Sequence, residues 1–372
     1  MFLTAENVVS YLIARGSLET EDVASGAVFV NEISRRNRNF KVERPGRAGL
    51  FVKQVPAVVA ETTGSIYREA YCYDLGFSDP SFASLQPYIV PLVDYDPRQH
   101  TLTVEMLDRA ENLNLLHTRT ARFPAEIGAA QGRALGAIHR GQTSSLGQSA
   151  TKAFLRIRPW VLTIAQNAES VFPNMGPATR ELAGVLRQNP VLVQGMNSLH
   201  SIWREETLIH GDIKWDNFVL LGSAEQSPEP ELRVVDWELA DIGDSSWDVG
   251  CAFCCYVQHW LATMSADSSH EDTDTLIAKA PIHLEETWPA IRALWDAYSV
   301  ARGFSVNESQ LEMRRAAAFA AARLVLTAFE ITVRAPQITR TTQLCLQLAA
   351  AMMTAPEIAL RDILGLQEGV NA

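Results

Sequence analysis

The stretch HGDIKWDN places His210, Asp212 and Asn217 within eight residues, and VVDWE supplies Asp236 nineteen residues beyond Asn217. Carboxylates and a carboxamide are hard oxygen donors. Phosphoryl transfer needs such a set, because it requires one carboxylate to orient an attacking hydroxyl and further oxygen ligands to hold magnesium on the nucleotide phosphates. Isolated aspartates more commonly serve turns and helix caps. That reading leaves unexplained the ordered series His210, Asp212, Asn217, Asp236 and Asp248, each in its own strand or helix context.

The elements that must position these groups are legible as patterns. TLIHGDIKWDNFVLL, the polar run GSAEQSPEPE and LRVVDWELADIGD read as two short strands joined by a turn, which sets the first loop beside the second carboxylate. Upstream, VFV, ISRRNRNFKV, GLFVKQ, YIVPLV and TLTVEML are short runs rich in branched residues, separated by turn material such as ERPGRAG and DYDPRQH. They predict an antiparallel sheet. SIYREAYCYDLG predicts one helix inserted into it, capped by Ser65 and closed by Gly76, and Thr4 is placed to cap a short helix reaching Ala14. Beyond Leu107 the spacing is that of long helices, as in PAEIGAAQGRALGAIHR and MRRAAAFAAARLVLTAFEI. The fold class is therefore α+β, divided into an N-terminal part, residues 1–106, and a mainly helical part, residues 107–372.

HGDIKWDN followed by DWELADIGDSSWDVG resembles the aminoglycoside phosphotransferase and choline kinase group, recognised by a His-x-Asp loop with Asn five residues after the Asp. The resemblance implies a bilobal, protein-kinase-like fold and transfer of the ATP γ-phosphate to a hydroxyl, with ATP and Mg2+ as cofactors. By it, Asp212 is the catalytic base or hydroxyl-orienting group, and Asn217 and Asp236 bind magnesium. Asp248 buttresses the loop from the next helix, which Ser245 or Ser246 helps to cap, and His210 holds the loop by hydrogen bonding. Lys53 on GLFVKQ and Glu69 on the inserted helix match the group's ion pair that positions a phosphate-binding lysine. SRRNRNF occupies the place of the phosphate-covering loop without its glycines; Ser34, Asn37, Arg35, Arg36 and Arg38 are phosphate contacts or an ordinary basic turn. TVEMLDR takes the place of the hinge, with backbone groups of Glu105 and Leu107 on the adenine edge. His139 is packing.

Composition narrows the partners. A formal charge of −11 argues against nucleic acid, and the chain shows no apolar run of membrane-spanning length, so a soluble cytoplasmic protein without membrane contact is expected. Five cysteines without a secretory leader predict reduced thiols, and Cys251, Cys254 and Cys255 share one helical face as core packing. Two acceptor classes compete. Acidic residues Asp267, Glu271, Asp272 and Asp274 suit a small cationic hydroxyl compound such as an aminosugar or amino alcohol. Lys214 stands two residues after Asp212, where Ser/Thr protein kinases carry a lysine on the transferred phosphate, and so suits a peptide Ser or Thr, including peptide natural-product tailoring. A nucleotide-binding pseudokinase scaffold is the alternative without turnover, and the sequence does not indicate an oligomeric state.

Overall fold

The computed structural model describes residues 2–24, 26, 28–33, 37–44, 46–222, 227–264, 272–333 and 335–367. Along RNFKVE the side chains alternate, with Phe40 and Val42 buried, and this period of two makes a strand that covers a core with one face. Five strands form the first sheet: β1 (Phe29–Glu32), β2 (Arg38–Glu43), β3 (Leu50–Gln54), β4 (Leu92–Asp96) and β5 (Thr101–Glu105). They lie in the order β1-β2-β3-β5-β4, every pairing antiparallel. Helix α1 (Val8–Ala14) and the segment before it pack Leu3, Val8, Tyr11 and Leu12 with Phe40, Val42, Leu50 and Val52 into a small separate core. A short helix α2 (Thr20–Ala24) follows it.

Three local expectations need correction. Thr4 does not cap α1; its carbonyl accepts the Asn7 and Val8 amides in a turn that precedes the helix, and its own amide donates to the Asn7 side chain. The inserted helix α3 runs Ala60–Ser78, past both expected ends. Ser65 lies inside it with Oγ donating to the Thr62 carbonyl, and Gly76 is buried where a Cβ would press on Ile89, so that glycine serves packing rather than termination. YIVPLV is not a strand throughout: a 3-10 segment covers Pro80–Tyr88, and β4 begins only at Leu92 and continues through DYD. Arg15 pairs with Asp94 there and Tyr11 donates to Asp96, which ties the strand to α1.

The chain continues through β6 (Ala110–Asn112), α4 (Leu113–Thr120), α5 (Ala125–Ile138), α6 (Ala150–Ala153), α7 (Ile164–Val171), α8 (Pro177–Gln188) and α9 (Pro190–Ser201). Four short strands then build the site: β7 (Thr207–Ile209), β8 (Phe218–Leu221), β9 (Leu232–Val234) and β10 (Asp241–Gly243). β7 pairs with β10, and β8 lies between β6 and β9. Helices α10 (Ser245–Thr263), α11 (Thr273–Ala278), α12 (Trp288–Arg302), α13 (Val306–Thr332) and α14 (Arg340–Thr354) follow, and the short helical segments Pro356–Ile358 and Ala359–Ile363 come after them. Helix α13 opens on a capping box, Ser305 and Glu308 satisfying each other's backbone amides. Gly128, Gly132 and Gly136 fall at every fourth position of α5, on one face, and a Cβ on any of them would collide with Ala290, Leu294 or Ala301 of α12. The two helices therefore meet backbone to backbone. Among the described residues no single helix is long and apolar enough to cross a membrane.

Candidate active site

Strand β7 ends at Ile209 and β8 starts at Phe218, so the intervening HGDIKWDN forms a loop whose two ends are held by sheet pairings. Its conformation is set from beneath. Asp248, fully buried in the first turn of α10, accepts the His210 amide at 2.6 Å and the Gly211 amide at 3.0 Å. Gly211 sits at φ 78°, with the Leu239 carbonyl where a side chain would stand, so the turn requires glycine. His210 is buried and its Nε2 meets the Val235 carbonyl at 3.0 Å, which joins this loop to the one carrying Asp236. The cap of α10 is Asp244, accepting the Ser246 amide, and not Ser245 or Ser246. Their hydroxyls instead donate to Glu206 and Glu312.

Within the loop, Asn217 Nδ2 donates to the Asp212 carbonyl at 2.9 Å, leaving Oδ1 as its acceptor. Lys214 pairs with Asp212 Oδ2 at 2.6 Å. Burial would lower the Lys214 ammonium, but the Asp212 carboxylate outweighs it and holds the group above its usual range. Asp236 follows β9 in left-handed backbone, φ 67° and ψ 57°, a conformation that costs a non-glycine residue about 1–3 kcal/mol and persists only where surrounding contacts impose it.

Lys53 on β3 reaches across to this segment. Its Nζ lies 2.7 Å from Glu69 Oε2, 2.7 Å from Asp236 Oδ1 and 3.7 Å from Glu238 Oε2. Burial alone would depress the Lys53 ammonium, but three carboxylates raise it above its ordinary value, so it stays charged. Burial pushes Glu69 up to about 7 against the pull of Lys53. Asp236 is lowered, because Lys53 prevails over the effect of burial.

A cavity of about 470 Å³ opens between these groups, a size that suits a small-molecule ligand. Part of its lining is apolar, from Val90, Leu102, Val104, Leu107, Val219 and Val235; another part is charged or polar, from Lys53, Glu69, Asn217 and Asp236. Glu105 and Leu107 both line it, with the Glu105 amide already donated to Pro91 and the Met106 amide to Gly49. Asn39 and Lys41 of β2 line it, whereas Asn37 is not among the lining residues and Ser34, Arg35 and Arg36 lie outside the described residues. Arg38 turns to the N-terminus, donating to the Leu3 carbonyl and lying over the Phe2 ring.

The remaining expected residues fall as follows. His139 is buried between Tyr298 and Asp248, the Thr207 hydroxyl on its carbonyl. Cys251, Cys254 and Cys255 are buried in α10 as free thiols, and burial pushes Cys255 up to about 12. Asp267 and Glu271 lie outside the described residues, while Asp272 caps α11 by accepting the Thr275 amide and Asp274 stands in its first turn. Sequence reasoning missed Arg68, Tyr73 and Glu238. Arg68 and Tyr73 flank the recognised Glu69 on α3, and Tyr73 repeats its helical face four residues on, a signal that gains meaning only once α3 is docked. The packing of His117 against Phe123 and against Trp215 of the loop itself was equally hidden.

Residues 31–294 match the model of the phosphotransferase enzyme family. Among solved structures, a choline kinase of Cryptosporidium parvum Iowa II superposes with a TM-score of 0.60, covering 97% of this chain and 98% of its own at 12% identity. The protein APH(2")-IIia, solved with GDP and kanamycin, superposes with a TM-score of 0.52, covering 92% and 97% at 12% identity. Both likenesses are of fold. In sequence, the Arabidopsis thaliana protein named "Probable acyl-CoA dehydrogenase IBR3" is 22% identical over 253 residues, which is 67% of this chain and 27% of that protein. The chain thus spans about a quarter of the length of that relative.

Proposed function

The chain belongs to the phosphotransferase enzyme family, and from that premise we propose that it is a kinase moving the γ-phosphate of ATP, with magnesium, onto a hydroxyl of a small molecule. The observation that carries this reading is the cavity whose lining is apolar in one part and bears Lys53, Asn217 and Asp236 in another, a pairing suited to a base and its phosphates. Residues 1–106 form the nucleotide lobe on this reading and residues 107–372 the catalytic and acceptor lobe, with the ligand between them.

The residues suit magnesium. Asn217 Oδ1 and the Asp236 carboxylate are hard oxygen donors lining one cavity. The bound ion would draw charge from the β- and γ-phosphates. Lys53, held by Glu69, contributes a fixed positive charge to the phosphates, and Asp212 orients the acceptor hydroxyl and receives its proton. Lys214, now paired with Asp212, turns its ammonium to the transferred phosphoryl group. The backbone near Glu105 and Leu107 meets the adenine edge. Asp248 and His210 keep the loop in register.

A cationic acceptor such as an amino alcohol or aminosugar is the first class to test, in keeping with the fold shared with a choline kinase and with a protein solved with kanamycin. The test is ATP consumption with magnesium across aminoglycosides, amino alcohols, sugars and Ser/Thr peptides, with mass spectrometry for added phosphate. Asp212→Asn should lower turnover by about 10²–10⁴-fold while leaving nucleotide affinity near parental. Turnover surviving that substitution nearly intact would remove Asp212 from the chemistry. Product found only on peptides would move the acceptor to Ser or Thr, and tight nucleotide binding with no product on any acceptor would favour the pseudokinase scaffold.

A further inference from the structure

The left-handed backbone at Asp236 is gripped on both sides, and two of the groups that grip it, Tyr73 and Arg68, are left without a task by the family reading. Tyr73 projects from the same face of α3 as Glu69, and its hydroxyl oxygen accepts the Asp236 amide at 3.2 Å. Arg68, one residue before Glu69, donates through Nη1 to the Glu238 carbonyl at 2.7 Å and through Nε to the Ala153 carbonyl at 2.6 Å. The carbonyl just before Asp236, that of Val235, meets His210 Nε2. Backbone groups before, at and after the strained residue are thus each committed to a side chain. Two of those side chains come from one helix, 163 and 170 residues away in the chain.

We infer that Arg68 and Tyr73 are positioning residues, a clamp by which α3 holds Asp236 in the left-handed conformation that presents its carboxylate to the metal. The inference rests on the reading of Asp236 as a magnesium ligand. A left-handed aspartate has a right-handed or extended alternative of lower local energy, and in either the carboxylate leaves the direction it shares with Asn217 and Lys53. The salt bridge Lys53–Asp236 cannot supply the hold by itself, because metal and phosphates compete for both of its ends, whereas the Tyr73 and Arg68 bonds are made to backbone and remain through the reaction. The clamp also makes the docking of α3 a condition for metal binding: Glu69, Tyr73 and Arg68 ride on the same helix, so displacing it releases the phosphate-binding lysine and the metal ligand together.

The test uses the full chain with ADP and Mn2+ as the probe, its binding followed by electron paramagnetic resonance, and amide hydrogen exchange of segment 235–239 with no nucleotide or metal present. Tyr73→Phe and Arg68→Met should each weaken Mn2+ binding to the ADP complex by about tenfold, the fold-change that one lost hydrogen bond produces. Both should speed exchange at Asp236 to Glu238, and Arg68→Lys should recover part of each effect. For Arg68→Met, whose side chain is outside the cavity lining, ADP affinity without metal should stay near parental, which a general loss of structure would not allow. Variants that keep Mn2+ within about twofold and exchange at the parental rate overturn the clamp. Asp236→Asn separates the two ideas: if it retains parental Mn2+ affinity the metal reading of Asp236 fails, and the exchange rates alone then decide whether Arg68 and Tyr73 fix the backbone.

Discussion

Replacing Asp248 by asparagine changes the chemistry of one group and almost none of its volume. The carboxylate is fully buried and accepts from the His210 amide at 2.6 Å, the Gly211 amide at 3.0 Å and His139 Nε2 at 3.3 Å. Burial depresses His139 below its ordinary pKa, and its Nδ1 meets the Tyr298 hydroxyl, so the neutral ring carries its proton on Nε2 and donates to Asp248. An asparagine keeps one acceptor oxygen and turns an NH2 group toward the remaining donor. Two buried donors then face each other, at about 1–3 kcal/mol for a group left unpaired, and the surviving bonds weaken from charge-assisted to neutral. Relief from burying a charge offsets part of this, leaving an expected loss of about 2–4 kcal/mol. Urea unfolding near neutral pH reads it as a lower midpoint at unchanged slope. The comparison is Asp272→Asn, at an exposed cap where asparagine serves as well as aspartate and the change should stay within about 0.5 kcal/mol. Turnover should fall with Asp248→Asn, since the distorted loop carries both Asp212 and Asn217, and Asn217 lines the nucleotide cavity. A loss no larger than that of Asp272→Asn would refute the reasoning, because the loop amides would then have other acceptors.

Two further outcomes are expected. Gly132→Ala places a methyl group against the Leu294 carbonyl of α12 and should cost about 1–3 kcal/mol in urea unfolding, whereas Gly184→Ala, with open space around it, should stabilise α8 by up to about 1 kcal/mol; equal effects would mean that α5 and α12 separate freely. His117 is buried with Nδ1 on the Arg122 carbonyl and Nε2 unpaired, and burial lowers it from 6.5 to about 4. The unfolded ring takes up a proton in that window and the folded ring does not, so stability present near pH 7 is lost as pH falls. The parent should accordingly lose about 2 kcal/mol relative to His117→Phe between pH 7 and pH 5; a stability difference independent of pH would show that the ring protonates freely in the folded protein.

The recognisable part of the site is the part encoded locally. His210 through Asn217 form one loop and Asp236 follows one strand, so their spacing is legible along the chain, whereas Lys53 and Glu69 came forward only through the resemblance to a family ion pair. Residues whose work depends on contacts across the chain were invisible. Tyr73 reads as one more aromatic on a core helix until its hydroxyl is found on an amide 163 residues away. The α10 cap went to Asp244 rather than a serine because Arg315 pairs with that carboxylate and holds it at the helix start. In α3, Ser65 and Gly76 carry terminal signals that the packing overrode, with Ile89 occupying the space beside Gly76. The strand β4 was misplaced because Pro91 and the aspartates of DYD look like turn material, while Tyr11 of α1 and Arg15 just beyond its end hold those aspartates in the sheet.

The three glycines of α5 bear on how such a protein can change over generations. Where two backbones touch, no single replacement of one glycine is neutral, and a compensating shift of α12 would have to accommodate Ala290, Leu294 and Ala301 at once. That contact is a barrier to mutation in both directions: hard to reach by small steps and hard to leave. The rigid footing it gives leaves exposed side chains elsewhere free to vary without disturbing how the two helices pack.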